Sequence, residues 1–212
     1  MIDIQTSSQE SPPFFIASQP ILDPDQSIWG YELHFSKCAS SESSEPDPAA
    51  VTPDMFLEGF SLAQNPLNPE ACFVISFPRQ SLLDSVPALL PKDQVLLQIS
   101  EQVIQDKPVL KQVIELKRQG FRVVMAGYTG RTKHPAVYQL VDIFRMDVRR
   151  QDQEFLKSVV QTARDNSCTM LADHVETKEL FELARQVGFA YFQGDFFSQP
   201  ETISGKALPS NQ

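Results

Sequence analysis

The sequence of 212 residues lacks the features of membrane, secreted and nucleic-acid-binding proteins. No apolar run approaches the roughly 18–20 residues that span a bilayer, and the opening Met-Ile-Asp lacks the basic start of a secretory signal. Eighteen basic residues against 27 acidic ones give a net charge of −9, which argues against partners such as nucleic acid or an acidic membrane surface. We therefore expect a cytoplasmic protein with no membrane or nucleic-acid contact.

Cysteine and glycine are also scarce. The three cysteines are an odd and scattered number, so we expect buried thiols at Cys72 and Cys168 rather than disulfide or metal sites. No glycine-rich phosphate loop is present, which argues against a nucleotide fold of that kind. The remaining composition, 42% hydrophobic and 21% charged, is that of an ordinary globular protein, and the length fits one α/β barrel or two small domains.

Short apolar runs alternate with helical patterns along the chain. Eight runs have the length and composition of strands: 14–21, 28–35, 72–77, 95–99, 121–125, 143–146, 168–172 and 189–192. Helical segments are predicted at 52–64, near 79–84, at 108–119, near 134–141, at 151–165 and at 177–187. This alternation predicts a parallel sheet covered by helices, and eight strands favour closure into a barrel. An open doubly wound sheet is the alternative.

The flanking segments have a different composition. Residues 1–13 are rich in Ser, Gln and Pro and are predicted to be disordered. Residues 36–50 are small, acidic and proline-containing, which predicts a mobile loop. The barrel domain is expected to span 14–203, followed by a linker over 204–212.

Polar residues follow two neighbouring strands near the C-terminus. The run 168–172 leads into Asp173 and then a helix with Thr177 as its cap and Gly188 at its end. The next run, 189–192, delivers Gln193. Because the carboxyl ends of barrel strands carry the active sites of such folds, we expect a functional site here.

Seven segments match, in order and spacing, the motifs of one family. They are Gln19–Asp23, Gly30–Leu33, Val74–Phe77, Leu97–Glu101, Met125–Gly130, Phe144–Val148 and Leu171–Pro200. With them the chain resembles the EAL family of cyclic di-GMP phosphodiesterases, in the subgroup where the domain precedes an HDOD domain. The resemblance implies a TIM-barrel-like (β/α)8 EAL fold. A modified first strand stays open as a variant of that fold. The segment Gly205–Asn211 resembles the connector of that subgroup, so the linker is expected to lead to a second domain of a longer protein.

The resemblance also implies which of the family's metal-ligand positions this chain keeps and which it changes. EAL enzymes attack a phosphodiester with water activated by two divalent cations that share carboxylates. Glu32 keeps a ligand position, and four residues match the family: Glu101, Asp147, Glu176 and Gln193. Six other positions differ. The resemblance places Ser76 where the family has Asn, Gln98 where it has Glu, Ala126 and Gly127 where it has two Asp residues, Arg145 where it has Lys, and Asp173 where it has the general-base Glu. The resemblance therefore implies a vestigial site, no bound metal cofactor and no catalysis.

Three functions stay open at this point. The first is an inactive signalling domain in bacterial signal transduction that binds a protein partner or an attached regulatory domain, with a homodimer as a further expectation. The second is a metal-free receptor for cyclic di-GMP, with Gln19, Glu32, Arg145 and Gln193 as candidate contacts. The third is a metal-dependent phosphodiesterase with atypical ligands. Glu32 and Asp147 also have a plainer interpretation, as strand-end carboxylates paired with Arg145 or Arg149.

Overall fold

The computed structural model describes residues 14–37, 51–64, 67–68, 70–130 and 135–204. The segment predicted to be disordered at 1–13, residues 38–50 of the predicted loop and the connector at 205–212 lie outside the described residues, as does Cys38. No helix within the described residues is long and apolar enough to cross a bilayer.

The described chain closes into an eight-stranded barrel, with a ninth strand added at one side. The strands are β1 (Phe14–Leu22), β2 (Ile28–Lys37), β3 (Cys72–Ser76), β4 (Val95–Ser100), β5 (Arg122–Ala126), β6 (Ile143–Asp147), β7 (Thr169–Asp173), β8 (Tyr191–Phe192) and β9 (Glu201–Ser204). Strands β2 to β8 pair in chain order and in parallel, and β1 closes the ring by pairing with both β8 and β2. The predicted α/β barrel is confirmed, and the open doubly wound sheet is wrong.

The first strand departs from an all-parallel barrel. It runs antiparallel to β2, β8 and β9. The cause is the short connection between β1 and β2, where the carboxylate of Asp23 accepts bonds from the backbone N–H groups of Asp25, at 2.9 Å, and Ser27, at 2.8 Å. A turn of this length makes a hairpin, since a parallel connection needs a dozen or more residues. The modified first strand is therefore confirmed, while the prediction that all eight strands are parallel is wrong for β1.

Six helices lie outside the barrel in the described chain. They are α1 (Pro53–Gln64), α2 (Arg79–Leu83), α3 (Glu101–Ile104), α4 (Lys107–Gln119), α5 (Gln153–Asp165) and α6 (Lys178–Val187), with 3-10 turns at Val86–Leu89 and Pro135–Gln139. The predicted ends of α6 are confirmed, because the Thr177 side chain accepts a bond from Leu180 N and Gly188 is left-handed with φ 105°. Sequence patterns missed α3, the turn at Val86–Leu89 and β9, which are each only four residues long.

Two further expectations need correction. Strand β2 extends to Lys37, so the predicted loop cannot begin at residue 36. Its last residues are held by the antiparallel ladder with β1, where Phe14 pairs with Lys37. Cys72 is only half-buried at the start of β3, whereas Cys168 is buried as predicted, and burial raises the pKa of the Cys168 thiol to about 11.

Inside the barrel, an apolar layer supports a polar one. The apolar layer is a cluster of six buried side chains from six strands: Ile21, Val74, Leu96, Val124, Ile143 and Leu171. Because side chains alternate between the two faces of a strand, residues two positions further along share this inward face. Those residues include Ser76, Gln98, Ala126, Arg145 and Asp173. The fold thus gathers them above the closed apolar layer, at the carboxyl ends of the parallel strands.

The loop after β8 depends on a glycine that comes close to a neighbouring backbone. Gly194 has φ 153°, and a Cβ added there would lie 2.3 Å from both the backbone N and the backbone O of Val175. We expect Gly194→Ala to lower the free energy of unfolding by about 3 kcal/mol or more, because strain and overpacking add. Gly127→Ala is the control: its φ is 75° but no atom lies within 4 Å of the added Cβ, so a loss of about 1–2 kcal/mol is expected. Urea unfolding measures both, and equal losses would contradict the prediction.

Candidate functional site

The polar layer at the barrel mouth is one connected network of side chains. Glu32 of β2 lies at its centre and is 1% exposed. Its Oε1 accepts from Gln98 Nε2 at 2.6 Å and from Arg145 Nη1, and its Oε2 accepts from Gln193 Nε2 at 3.0 Å and contacts His34 Nε2 at 3.1 Å. A carboxylate offers about four acceptor positions, and these four contacts occupy all of them.

The environment keeps Glu32 ionised. Burial by itself would raise the pKa of this carboxyl, because a charge is costly away from water. The hydrogen bond from His34 and the positive charge of Arg145 outweigh burial, and together they hold the pKa of Glu32 well below its usual range. The same contact raises the pKa of His34. The centre of the network is therefore an anion surrounded by donors.

Arg145 of β6 joins this anion to a second carboxylate. Its Nε donates to Asp173 Oδ2 at 2.8 Å and its Nη2 donates to Asp173 Oδ1 at 3.0 Å, a bidentate pair. Its Nη1 donates to Glu32 and, at 2.9 Å, to Gln98 Oε1. Burial would lower the pKa of Arg145, but the two carboxylates outweigh it and raise the pKa. The guanidinium thus lies between the carboxylates of β2 and β7, well shielded from water.

The ends of β3, β4 and β5 contribute little that is charged. Gln98 Nε2 donates to Ser76 Oγ at 2.7 Å in addition to its bond with Glu32. Ala126 and Gly127 bring no side-chain oxygen. A cavity of about 440 Å³ adjoins these residues. Its apolar lining residues are Leu33, Phe35, Val51, Phe56, Phe77, Pro78, Val103 and Ala126, and its polar lining residues are His34, Ser76, Gln98 and Ser100.

The outer rim carries a separate and more exposed group of charges. Arg149 donates to Asp147 Oδ2 at 2.7 Å and to Glu176 Oε1 at 3.1 Å. The hydrogen bond from Arg149 holds the pKa of Asp147 below its usual value. His174 Nδ1 lies 3.2 Å from Asp173 Oδ2 and links the rim to the buried network. The ion pairs that the plainer interpretation expected for Glu32 and Asp147 are thus present, with Arg145 and Arg149 respectively.

The structure brings together most of the residues that the sequence singled out. Six of them share the connected network: Glu32, Ser76, Gln98, Arg145, Asp173 and Gln193. Asp147 lies on the rim, and Gln19 turns away to donate to the carbonyl of Ser198 at 2.9 Å. Among the described residues, the one buried side-chain N or O atom without a hydrogen-bond partner is Oε1 of Gln193.

Sequence reasoning missed the part played by His34 in this network. His34 and His174 contact different carboxylates, Glu32 and Asp173 respectively. The available signal was spacing, since residues two apart on one strand share a face and His34 follows Glu32 by two. Within the described ranges, no group of three or more His, Cys, Asp or Glu side chains is arranged to hold a metal ion.

The closed barrel with a polar site at the carboxyl ends of its strands is of the TIM-barrel-like α/β class. Residues 74–200 match the EAL domain family, and the chain belongs to that family. The cyclic di-GMP phosphodiesterase CdgJ of Vibrio cholerae is 32% identical over 197 residues, 89% of this chain and 45% of the relative. YuxH of Bacillus subtilis is 25% identical over 204 residues, 93% of this chain and 50% of the relative. The chain therefore spans about half the length of these curated relatives.

A solved structure supports the same fold. BlrP1 of Klebsiella pneumoniae, in a complex with manganese and cyclic di-GMP, superposes with a TM-score of 0.72 at 24% identity. The match covers 92% of this chain and 58% of that chain. At this level of identity the similarity concerns the barrel architecture.

Removing the buried cation should cost much more stability than removing the one on the rim. Arg145→Ala leaves Glu32 charged, buried and short of its main partner, so we expect the free energy of unfolding to fall by about 3–5 kcal/mol. Arg149→Ala removes an exposed ion pair at the same mouth, which water and salt screen, so a much smaller loss of unfolding free energy is expected. Urea unfolding of the two variants beside the wild type tests this, and similar losses would show that the burial of Arg145 has no energetic consequence.

The contact between His34 and Glu32 should make stability depend on pH in two directions. The pKa of His34 is raised above 6.5 in the folded chain, so its contribution is complete below about pH 6.5 and is lost as the pH rises through the folded value. The pKa of Glu32 is lowered below 4.5, so its contribution is present above about pH 4.5 and is lost as the pH falls further. His34→Gln should flatten the decline of unfolding free energy above pH 6.5. An unchanged slope in that range would contradict the assignment.

Proposed function

We propose that this chain is a catalytically inactive EAL signalling domain that regulates by binding a partner protein or an attached domain in bacterial signal transduction. The observation that carries the proposal is the pairing of Glu32 and Asp173 with one internal cation, Arg145. Carboxylates that are fully used in this way are poor ligands for the two divalent ions that EAL catalysis requires.

The remaining donor set supports the same conclusion. Two neighbouring dications need shared anionic oxygens that offset their mutual repulsion. At the corresponding strand ends this chain offers a neutral amide at Gln98, a hydroxyl at Ser76 and no side-chain oxygen at Ala126 or Gly127. The residues present do not fit a centre of two divalent metal ions.

A metal-dependent phosphodiesterase with atypical ligands is the first rival. It is favoured by the Vibrio cholerae relative, which is a cyclic di-GMP phosphodiesterase by name. For this rival to hold, a cation would have to displace Arg145 from Glu32 and Asp173. The bidentate pair with Asp173 and the near-complete burial of Glu32 argue against such an exchange.

A metal-free receptor for cyclic di-GMP is the second rival. It is favoured by the Klebsiella pneumoniae neighbour, whose structure contains that nucleotide. The four side chains expected to contact it are Gln19, Glu32, Arg145 and Gln193, and each is already bonded within the chain. A nucleotide phosphate would also approach the carboxylates Glu32 and Asp173. We therefore rank the receptor below the protein-binding domain.

The partner itself is proposed from the resemblance. The curated relatives are about twice as long as the matched region, and the segment Gly205–Asn211 resembles a connector that leads into an HDOD domain. An attached domain of that kind is our first candidate for the partner. A homodimer and a cytoplasmic location stay predictions.

Two measurements on the purified chain separate these functions. With Mg²⁺ or Mn²⁺, we expect linear pGpG to form from cyclic di-GMP no faster than with the Glu32→Gln variant, while the Vibrio cholerae relative serves as the active control. Product that depends on the metal and on Glu32 would overturn the proposal in favour of the phosphodiesterase. Calorimetry with cyclic di-GMP in the presence of chelator should show no saturable heat. Saturable binding would establish the receptor instead.

A further inference from the structure

We infer that the guanidinium of Arg145 is the resident cation of this barrel mouth and that it closes the site to divalent metal ions. The EAL resemblance implies divalent cations at these strand ends, and the residues present do not fit them. The inference deepens the proposed function by stating what blocks the site. It rests on that proposal only in expecting no bound metal in the wild type.

Arg145 and a divalent cation would compete for the same carboxylate oxygen atoms of Glu32 and Asp173. A divalent cation bound to Glu32 Oε1 would sit about 2.0–2.6 Å from it. That oxygen already accepts from Arg145 Nη1 and from Gln98 Nε2, at 2.6 Å for the second. Both oxygens of Asp173 are taken by the same guanidinium, at 2.8 and 3.0 Å. The ion and the arginine therefore cannot both use these carboxylates.

The shape and charge of the Arg145 guanidinium suit it to this position. A planar guanidinium reaches two carboxylates at once, and four of its N–H bonds are accounted for by Glu32, Asp173 and Gln98. It is always charged, so no pH change within the working range removes it. A lysine at this position would be a point charge on a simpler stem, without the fork that ties the two carboxylates together.

The space beside Gln98 and Ala126 offers few ligands to a metal ion. The cavity of about 440 Å³ beside Gln98 and Ala126 is lined mainly by aliphatic and aromatic side chains. Hard dications require several oxygen ligands, some of them anionic, and this space offers hydroxyl and amide groups only, with His34 at its edge. Even with carboxylates restored at 98 and 126, the guanidinium fork of Arg145 would still occupy the oxygen atoms of Glu32 and Asp173 that a dication needs.

A pair of variants that differ only at position 145 tests the inference. The first, Gln98→Glu with Ala126→Asp, restores two carboxylates and keeps the arginine. The second adds Arg145→Lys. Each is compared with the wild type by thermal unfolding in MnCl₂ and in EDTA, and by calorimetry with MnCl₂ alone. Binding at 100 times the dissociation constant raises the unfolding midpoint of a chain this size by on the order of 5 °C.

We expect this rise for the variant with lysine and no rise above 1 °C or so for the wild type or the variant that keeps arginine. A rise for the variant that keeps Arg145 equal to that of the lysine variant would overturn the inference, as would no rise for a folded lysine variant. If the lysine variant fails to fold, the variant with arginine still decides: Mn²⁺ stabilisation there refutes the inference and its absence supports it. Because hydrolysis is not measured, failure here is distinguishable from failure of the proposed function.

Discussion

The carboxylate of Glu32 is the constraint on which the barrel mouth depends. It is 1% exposed, and an ionised group removed from water is stable only with partners around it. Four side chains supply them: His34 from β2, Gln98 from β4, Arg145 from β6 and Gln193 just after β8. One desolvated charge therefore ties together strands that lie on different sides of the barrel.

The apolar layer beneath explains why this network stays isolated. Residues such as Val74 and Leu171 close the interior below, and the rim pairs of Arg149 with Asp147 and Glu176 lie above. Water has little access to Glu32 and Arg145 between them, so each of their hydrogen bonds matters more and an unmatched group costs more. The carboxylates of Glu32 and Asp173 therefore help to hold the strands of the mouth together through Arg145.

Two features of the mouth act in the same direction under the proposed function. Gln98 and Ala126 are neutral and give less negative charge than two cations would require, and Arg145 balances the carboxylates of Glu32 and Asp173. A positive side chain is thus compatible with the reduced set of anions, whereas a dication needs the full set. This complementarity is the physical reason for our proposal that the mouth holds no divalent metal ion.

The sequence by itself favoured the barrel and placed most strands and helix ends, because alternating apolar runs and caps are local signals. It also indicated most of the residues that face the mouth, since spacing along a strand fixes the face, but Gln19 turns away and the contact of His34 with Glu32 was missed. It did not determine that β1 runs antiparallel to its neighbours, that β9 forms, or that one guanidinium bridges Glu32 and Asp173. Those pairings join residues such as Glu32 and Arg145, 113 positions apart, through the closure of the barrel. Only the tertiary structure decides which charges meet, because burial and distance set their energies.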